Sequence, residues 1–236
     1  QLAANGLYDT APNPAVGCVL VKDSRVVGTG WTAPAGGPHA EIVALKAAGA
    51  AARGATAYVT LEPCCHTGRT GPCTKALLEA GIARVVFAGR DPNPRVNGSG
   101  AAELMAAGVA VEGGVMESEA EPLNRGFFTR MRRGVPYVRS KLAVSLDGRT
   151  ALANGTSQWI TGPAARSDVH RWRARSSAVL TGSGTIVDDD PSLDARREEA
   201  QIPESIGIKP RLRVVGDSRF KMRPSATTLS RAGAVR

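Results

Sequence analysis

The sequence predicts an α/β protein of two domains, the first a layered domain with a mixed sheet. Short β-rich runs alternate with alanine-rich stretches of helical period, and the first two β-rich runs are only three residues apart. At 236 residues the chain also exceeds the usual size of one domain, and 42% hydrophobic residues are ample for a packed core.

In chain order, AVGCVLV (15–21) and RVVGTGW (25–31), broken by Lys22-Asp23-Ser24, read as a hairpin. After the loop APAGGP, HAEIVALKAAGAAA from His39 carries apolar residues at helical spacing, and ATAYVTL (55–61) is a strand ending at Glu62-Pro63. Pro72 suits the first turn of the helix CTKALLEAG, which Gly81 closes, and ARVVFAG is the next strand. SGAAELMAAG and VAVEGGV add a helix and a strand, which ends the pattern near residue 115. MESEAEPLNRGFFTRMRRG (116–134) reads as a helical connection, and a strand-rich region opens at PYVRSKLAVSLDG. The expected organisation is a first domain at 1–118, a linker at 119–135 and a second domain at 136–236.

Charge and cysteine usage narrow the function. The net charge of +9 is uneven: residues 1–115 hold nine Lys/Arg against eight Asp/Glu, and residues 116–236 hold 21 against 13. A near-neutral first half argues against a nucleic-acid partner there, while the basic half suits a smaller anion. No run is long and apolar enough for a membrane span, and QLAANGLYDT lacks a basic region followed by an apolar stretch, so a cytoplasmic protein without membrane contact is expected. Four cysteines are too few for a disulfide scaffold, and three crowd between positions 64 and 73, which favours metal or redox chemistry.

PHAE and, further on, EPCCHTGRTGPC supply that chemistry. A catalytic zinc uses three protein ligands and leaves a fourth position for water, whose pKa the ion lowers. His39 at the start of one helix, with Cys64 and Cys73 flanking the start of another, provides three ligands, and helix N-termini favour thiolates. Glu41, two residues beyond His39, is placed to move protons without ligating. H-x-E with P-C is the pattern of zinc nucleobase deaminases, except that eight residues separate Cys64 from Cys73 instead of two. Cys65 and His66 are therefore rival ligands. Cys64 and Cys73 are preferred because Pro63 and Pro72 precede them and fix both approaches alike. A structural zinc site, with Cys65 or His66 as fourth ligand, stays open at this point. Cys18, inside a strand, reads as a small core residue.

PNPAVGCVLV, PHAE, ATAYVTLEPCCHTGRTGPC, ARVVFAGRDPNP, KLAVSLDGRTAL, SQWIT and TIVDDDP together resemble, in order, the bifunctional riboflavin-biosynthesis deaminase–reductase family. The resemblance runs over essentially the whole chain. It implies a cytidine-deaminase-like three-layer N-terminal domain and a dihydrofolate-reductase-like C-terminal domain. It also implies deamination of a diaminohydroxy-phosphoribosylaminopyrimidine to the aminouracil, followed by NADPH reduction of the ribosyl chain to ribityl. By position, His39, Cys64 and Cys73 match the family's Zn2+ ligands and Glu41 its proton shuttle, while Asn13, His66, Thr67 and Arg69 are implied near the substrate. In the second domain, Lys141, Ser157, Arg173, Leu193 and Arg196 are implied to bind substrate, and Ala143, Trp159, Thr185, Asp189 and Ser218 the NADPH. Guanidiniums such as Arg173 or Arg196 can grip a phosphate bidentately. The resemblance further implies a homo-oligomer acting on a small phosphorylated pyrimidine. Three departures stand out: the helix-forming residues ahead of LAANG are absent, Gly71 replaces the family's usual proline, and the chain stops at LSRAGAVR. The reductase domain is accordingly expected to be truncated to about half, with little activity of its own. Three rival functions are a nucleic-acid deaminase, a zinc-organised interaction module without catalysis, and a deaminase whose second half is only a scaffold.

Overall fold

Two units, Gln1–Val138 and Arg139–Arg236, make up the computed structural model, which describes residues 1–231, Gly233 and Val235. The first unit begins with a 3-10 helix at Leu2–Tyr8, followed by β1 (Gly17–Lys22) and β2 (Arg25–Trp31) in the expected hairpin. Asp23 and Ser24 both take positive φ, 48° and 60°, the turn whose twist matches that of the flanking strands. Then come α1 (Ala40–Ala48), β3 (Thr56–Leu61), α2 (Cys73–Glu79), β4 (Arg84–Gly89), α3 (Ser99–Ala106) and β5 (Ala110–Gly113). The sheet order is β2-β1-β3-β4-β5, with β1 antiparallel to both neighbours and β3, β4 and β5 mutually parallel.

Glycines set the layers. Gly28 and Gly30 pair with Leu20 and Cys18. A Cβ on Gly28 would lie 2.3 Å from the carbonyl oxygen of Ala44, and one on Gly30 2.5 Å from that of Ala40. Helix α1 therefore sits in a notch that only glycine leaves. Gly17 faces the other way, because successive strand residues alternate, and its Cβ would lie 2.7 Å from the amide of Ala3. The N-terminal 3-10 helix and α1 thus cover opposite faces of the hairpin, which gives three layers. The core holds Leu20, Val59, Leu61, Leu77, Val85, Phe87 and Leu104.

The stretch 119–135, expected as a linker, packs into the first unit instead. It comprises α4 (Glu117–Ala120), a 3-10 turn at Glu121–Asn124 and α5 (Arg125–Arg133), which ends at Gly134 with φ 69°. Phe128 is 3% exposed within the core. The four arginines of RGFFTRMRR hide this from a composition reading, although the two phenylalanines are enough to dock the helix.

The second unit contains α6 (Pro163–Arg175), β6 (Ala178–Gly182), α7 (Ser183–Asp189), α8 (Arg197–Ala200), β7 (Leu212–Gly216) and α9 (Thr227–Ser230). Strands β6 and β7 form a parallel pair. The strand expected within 136–148 is absent among the described residues, and its apolar Val138 and Leu142 are 79% and 74% exposed. Its alternating pattern is real, but a strand needs a neighbour for its backbone groups, and none pairs with it here. No helix among the described residues is long and apolar enough to cross a membrane.

Candidate metal and catalytic site

One end of the first unit's sheet gathers the site. Parallel β3 and β4 finish there, and β1 starts there, because Cys18 pairs with Val59 across the antiparallel ladder. Strand β3 runs directly into Glu62-Pro63-Cys64. Glu62 is 3% exposed, and its carboxylate accepts the N–H groups of Gly98 at 2.9 Å, Ala101 at 3.1 Å and Asp91 at 3.3 Å. Gly98 is the N-cap of α3, so this carboxylate caps a helix distant in sequence and meets the positive end of its dipole. Beside it, a Cβ on Gly100 would lie 2.0 Å from the carbonyl oxygen of Pro63. The exit of β3 is thereby fixed from α3, and Cys64 with it.

His39 is the extended N-cap of α1, and Cys73 opens α2 behind Pro72. The Nδ1 of His39 lies 3.5 Å from Cys64 Sγ and 3.3 Å from Cys73 Sγ, while its Nε2 lies 3.3 Å from Thr70 Oγ1. The Cys73 amide donates to Cys64 Sγ at 3.4 Å. One donor atom from each of His39, Cys64 and Cys73 lies within 4.8 Å of the others. Two sulfurs and an imidazole nitrogen form a donor set that fits Zn2+ with one position open.

The electrostatics are local. The Cys73 thiol donating to Cys64, with help from His39 and the Cys73 amide, brings the Cys64 thiol down to about 4. The same bond, and then burial, push the Cys73 thiol up. The bond to Cys64 raises the His39 imidazole. Glu41, in the first turn of α1 and 4% exposed, has its carboxyl lifted above the ordinary range by burial, while a hydrogen bond from its own backbone opposes this. A buried carboxyl beside the three donor atoms is placed to take up and give back a proton.

The rival ligands point elsewhere. Cys65 directs its thiol to the Arg95 carbonyl at 3.5 Å, and His66, with a buried and unpartnered Nδ1, is outside the group. Cys18 is fully buried in the core. Asn13 is half-buried on the loop entering β1, and Arg69 is exposed on the loop between the two cysteines. An open groove of about 530 Å³ runs beside the site, past Pro38, Ile42, Thr70 and Lys75. Sequence reasoning missed Glu62, Thr70 and Asn124. Glu62 adjoins the cysteine motif, but its partners lie on α3, far along the chain.

In the second unit the candidate residues spread out. Arg173 and Arg196 come near enough to feel each other's charge, beside Asp194, Glu199 and His170. The His170 Nδ1 accepts the Arg196 amide at 3.2 Å. Leu193 is buried with Ile186 and Ala226. Ser218 follows the C-terminal end of β7, and Thr185 is in α7, which starts where β6 ends, while Asp189 is at that helix's far end. Lys141, Ala143, Ser157 and Trp159 lie in the stretch before α6 that has no regular element, and Trp159 is stacked against Arg166 with 4.6 Å between guanidinium and ring centre.

Fold and site together define a deaminase-type α/β domain followed by a second α/β unit. Residues 1–89 match the family model for the cytidine and deoxycytidylate deaminase zinc-binding region, and residues 136–235 match the RibD C-terminal domain. The chain is 52% identical over 232 residues to the riboflavin biosynthesis protein RibD of Haemophilus influenzae, covering 95% of this chain and 62% of that protein. Among solved structures, Acinetobacter baumannii RibD superposes with a TM-score of 0.91 at 51% identity, covering 99% of this chain and 65% of that one. A Thermotoga maritima diaminohydroxyphosphoribosylaminopyrimidine deaminase/5-amino-6-(5-phosphoribosylamino)uracil reductase gives 0.89 at 39% identity, with 99% and 65% coverage. The chain is similar to these RibD proteins over nearly all of its residues, and it spans somewhat under two thirds of their length.

Proposed function

We propose that the first unit hydrolytically deaminates 2,5-diamino-6-ribosylamino-4(3H)-pyrimidinone 5′-phosphate to the aminouracil, the deaminase step of riboflavin biosynthesis. We propose further that the second unit belongs to the NADPH-dependent reduction of the ribosyl to the ribityl chain. The observation that carries the reading is the convergence of His39, Cys64 and Cys73 beside the buried carboxyl of Glu41. His39, Cys64 and Cys73 would hold Zn2+, and when bound the ion lowers the pKa of a water toward neutrality. His39 turns Nδ1 to the sulfurs, so Nε2 keeps its proton for Thr70 Oγ1, which fixes the ring.

Glu41 takes a proton from water as the C–O bond forms at the ring carbon and returns it to the amino group as the C–N bond breaks and ammonia leaves. Asn13, His66 and Arg69 are assigned to the pyrimidine and its phosphate. In the second unit, Arg173 and Arg196 with Lys141, Ser157 and Leu193 are assigned to the substrate, and Ala143, Trp159, Thr185, Asp189 and Ser218 to NADPH. The same reading makes the protein a self-associating cytoplasmic enzyme of a small phosphorylated pyrimidine rather than of a nucleic acid.

The test is ammonia release from this pyrimidine by the purified chain, with zinc determined on the same sample. Glu41→Ala is expected to retain zinc and to lose roughly 10²- to 10⁴-fold in turnover. A folded, zinc-loaded chain that releases no ammonia would rule out this substrate.

A further inference from the structure

The stretch beyond the sheet of the first unit reaches back to the site. Asn124, at the end of the 3-10 turn that follows α4, is 7% exposed. Its Oδ1 accepts the amide N–H of Ala15 at 2.8 Å, and its Nδ2 donates to the carbonyl of the same residue at 2.9 Å. One side chain thus satisfies both backbone groups of a buried residue that the sheet does not serve, since β1 begins only at Gly17.

The rest of this loop is held with equal care. The Asn13 amide donates to the Thr10 carbonyl at 2.9 Å, the Val16 amide to Thr32 Oγ1 at 3.1 Å and the Gly17 amide to Thr60 Oγ1 at 3.1 Å. Every N–H from Asn13 to Gly17 is bonded, Pro14 having none. The loop enters β1 at the sheet end that carries the metal group, where Cys18 is near enough to Glu41 for the carboxylate to act on its thiol.

We propose that Asn124 is a positioning residue of the deaminase site. By clasping Ala15 it holds Asn13, two residues away, where the pyrimidine is bound, so that residues 117–133 form part of the deaminase and are not a tether. The inference rests on the function proposed above for this site, and on Asn13 as a substrate contact.

Two variants of the full zinc-loaded chain test it. Asn124→Leu keeps the size but loses both hydrogen bonds, and Asn124→Ala loses the size as well; the first serves where the second fails to fold. Amide hydrogen exchange at Ala15, Val16 and Gly17 is expected to accelerate about tenfold or more, the scale of one lost hydrogen bond, while Val59 and Val86 within the sheet stay unchanged. KM for ammonia release is expected to rise by about tenfold with kcat within about threefold, and Asn13→Ala in the Asn124→Ala background to add little further. Unchanged exchange at Ala15 overturns the proposal. So do effects of the two substitutions on KM that multiply in full, because the clasp would then act on stability alone. If the unaltered chain releases no ammonia, it is the substrate reading that fails, and exchange at Ala15 decides the clasp.

Discussion

Strand β3 in the first unit has β1 on one side and β4 on the other, whereas β6 and β7 in the second unit form a two-stranded sheet among the described residues, extended only by a bridge from Arg213 to Val235. Both units place candidate residues where parallel strands end. In the first, Glu41 and Cys73 are buried, His39 and Cys64 half-buried, and the group is tied to helix termini; in the second, Thr185, Asp189, Ser157 and Ser218 stand in solvent and Lys141 lies on a stretch without regular structure. A site becomes rigid when the elements carrying it are paired on every edge, because only then does each side chain inherit a fixed backbone.

The sharpest way to break this contrast is to remove a ligand. Cys64→Ser or Cys73→Ser is expected to abolish stoichiometric zinc in metal analysis of the purified chain, while Cys65→Ser, whose thiol faces Arg95, keeps it. Retention in Cys64→Ser with loss in Cys65→Ser would reverse the ligand assignment.

Packing offers the next comparison. Gly100→Ala forces a methyl toward the Pro63 carbonyl and is expected to cost about 3 kcal/mol in denaturant unfolding of the first unit. Gly184, in α7, has open space around the added atom, so Gly184→Ala is expected to be neutral or to stabilise by about 0.5 kcal/mol. Equal costs at the two positions would remove the distinction between the units.

A smaller effect sits at the end of β4. Burial, more than the neighbouring Glu62, lifts the Asp91 carboxyl from 3.8 to about 6. The folded chain therefore binds the extra proton across that interval, and stability falls as pH rises from about 4 through 6, by on the order of 2 kcal/mol. Asp91→Asn keeps an acceptor for the Asn93 amide and is expected to flatten that slope in urea titrations at several pH values. At the bottom of the scale, Lys75 and Glu79 are both largely exposed, and Lys75→Ala is expected to change stability by less than about 0.5 kcal/mol.

Much of the first unit was legible because its signals are local. The Lys22-Asp23-Ser24 break marks a turn, and the prolines before Cys64 and Cys73 mark two approaches that the fold brings together. What was not legible depends on distant partners. Asn124 carries no periodic or motif signal, and its importance comes from Ala15, far earlier in the chain. Glu62 looks like part of a cysteine motif until α3 is seen resting on it. Thr70 lies among other loop residues, with nothing in its spacing to mark it as the partner of His39. The alternation of Val138, Leu142 and Val144 is that of a strand, yet period alone cannot provide the neighbour that makes one.

The seating of Pro63 on Gly100, with Glu62 over the first turn of α3, also sets an order of events during synthesis. A growing chain presents His39, Cys64 and Cys73 well before residues 98–101 emerge, yet the course of the backbone at Cys64 is fixed only when those residues dock. Completion of the ligand set therefore reports that the far side of the sheet has been built, which couples metal capture to the maturity of the nascent domain.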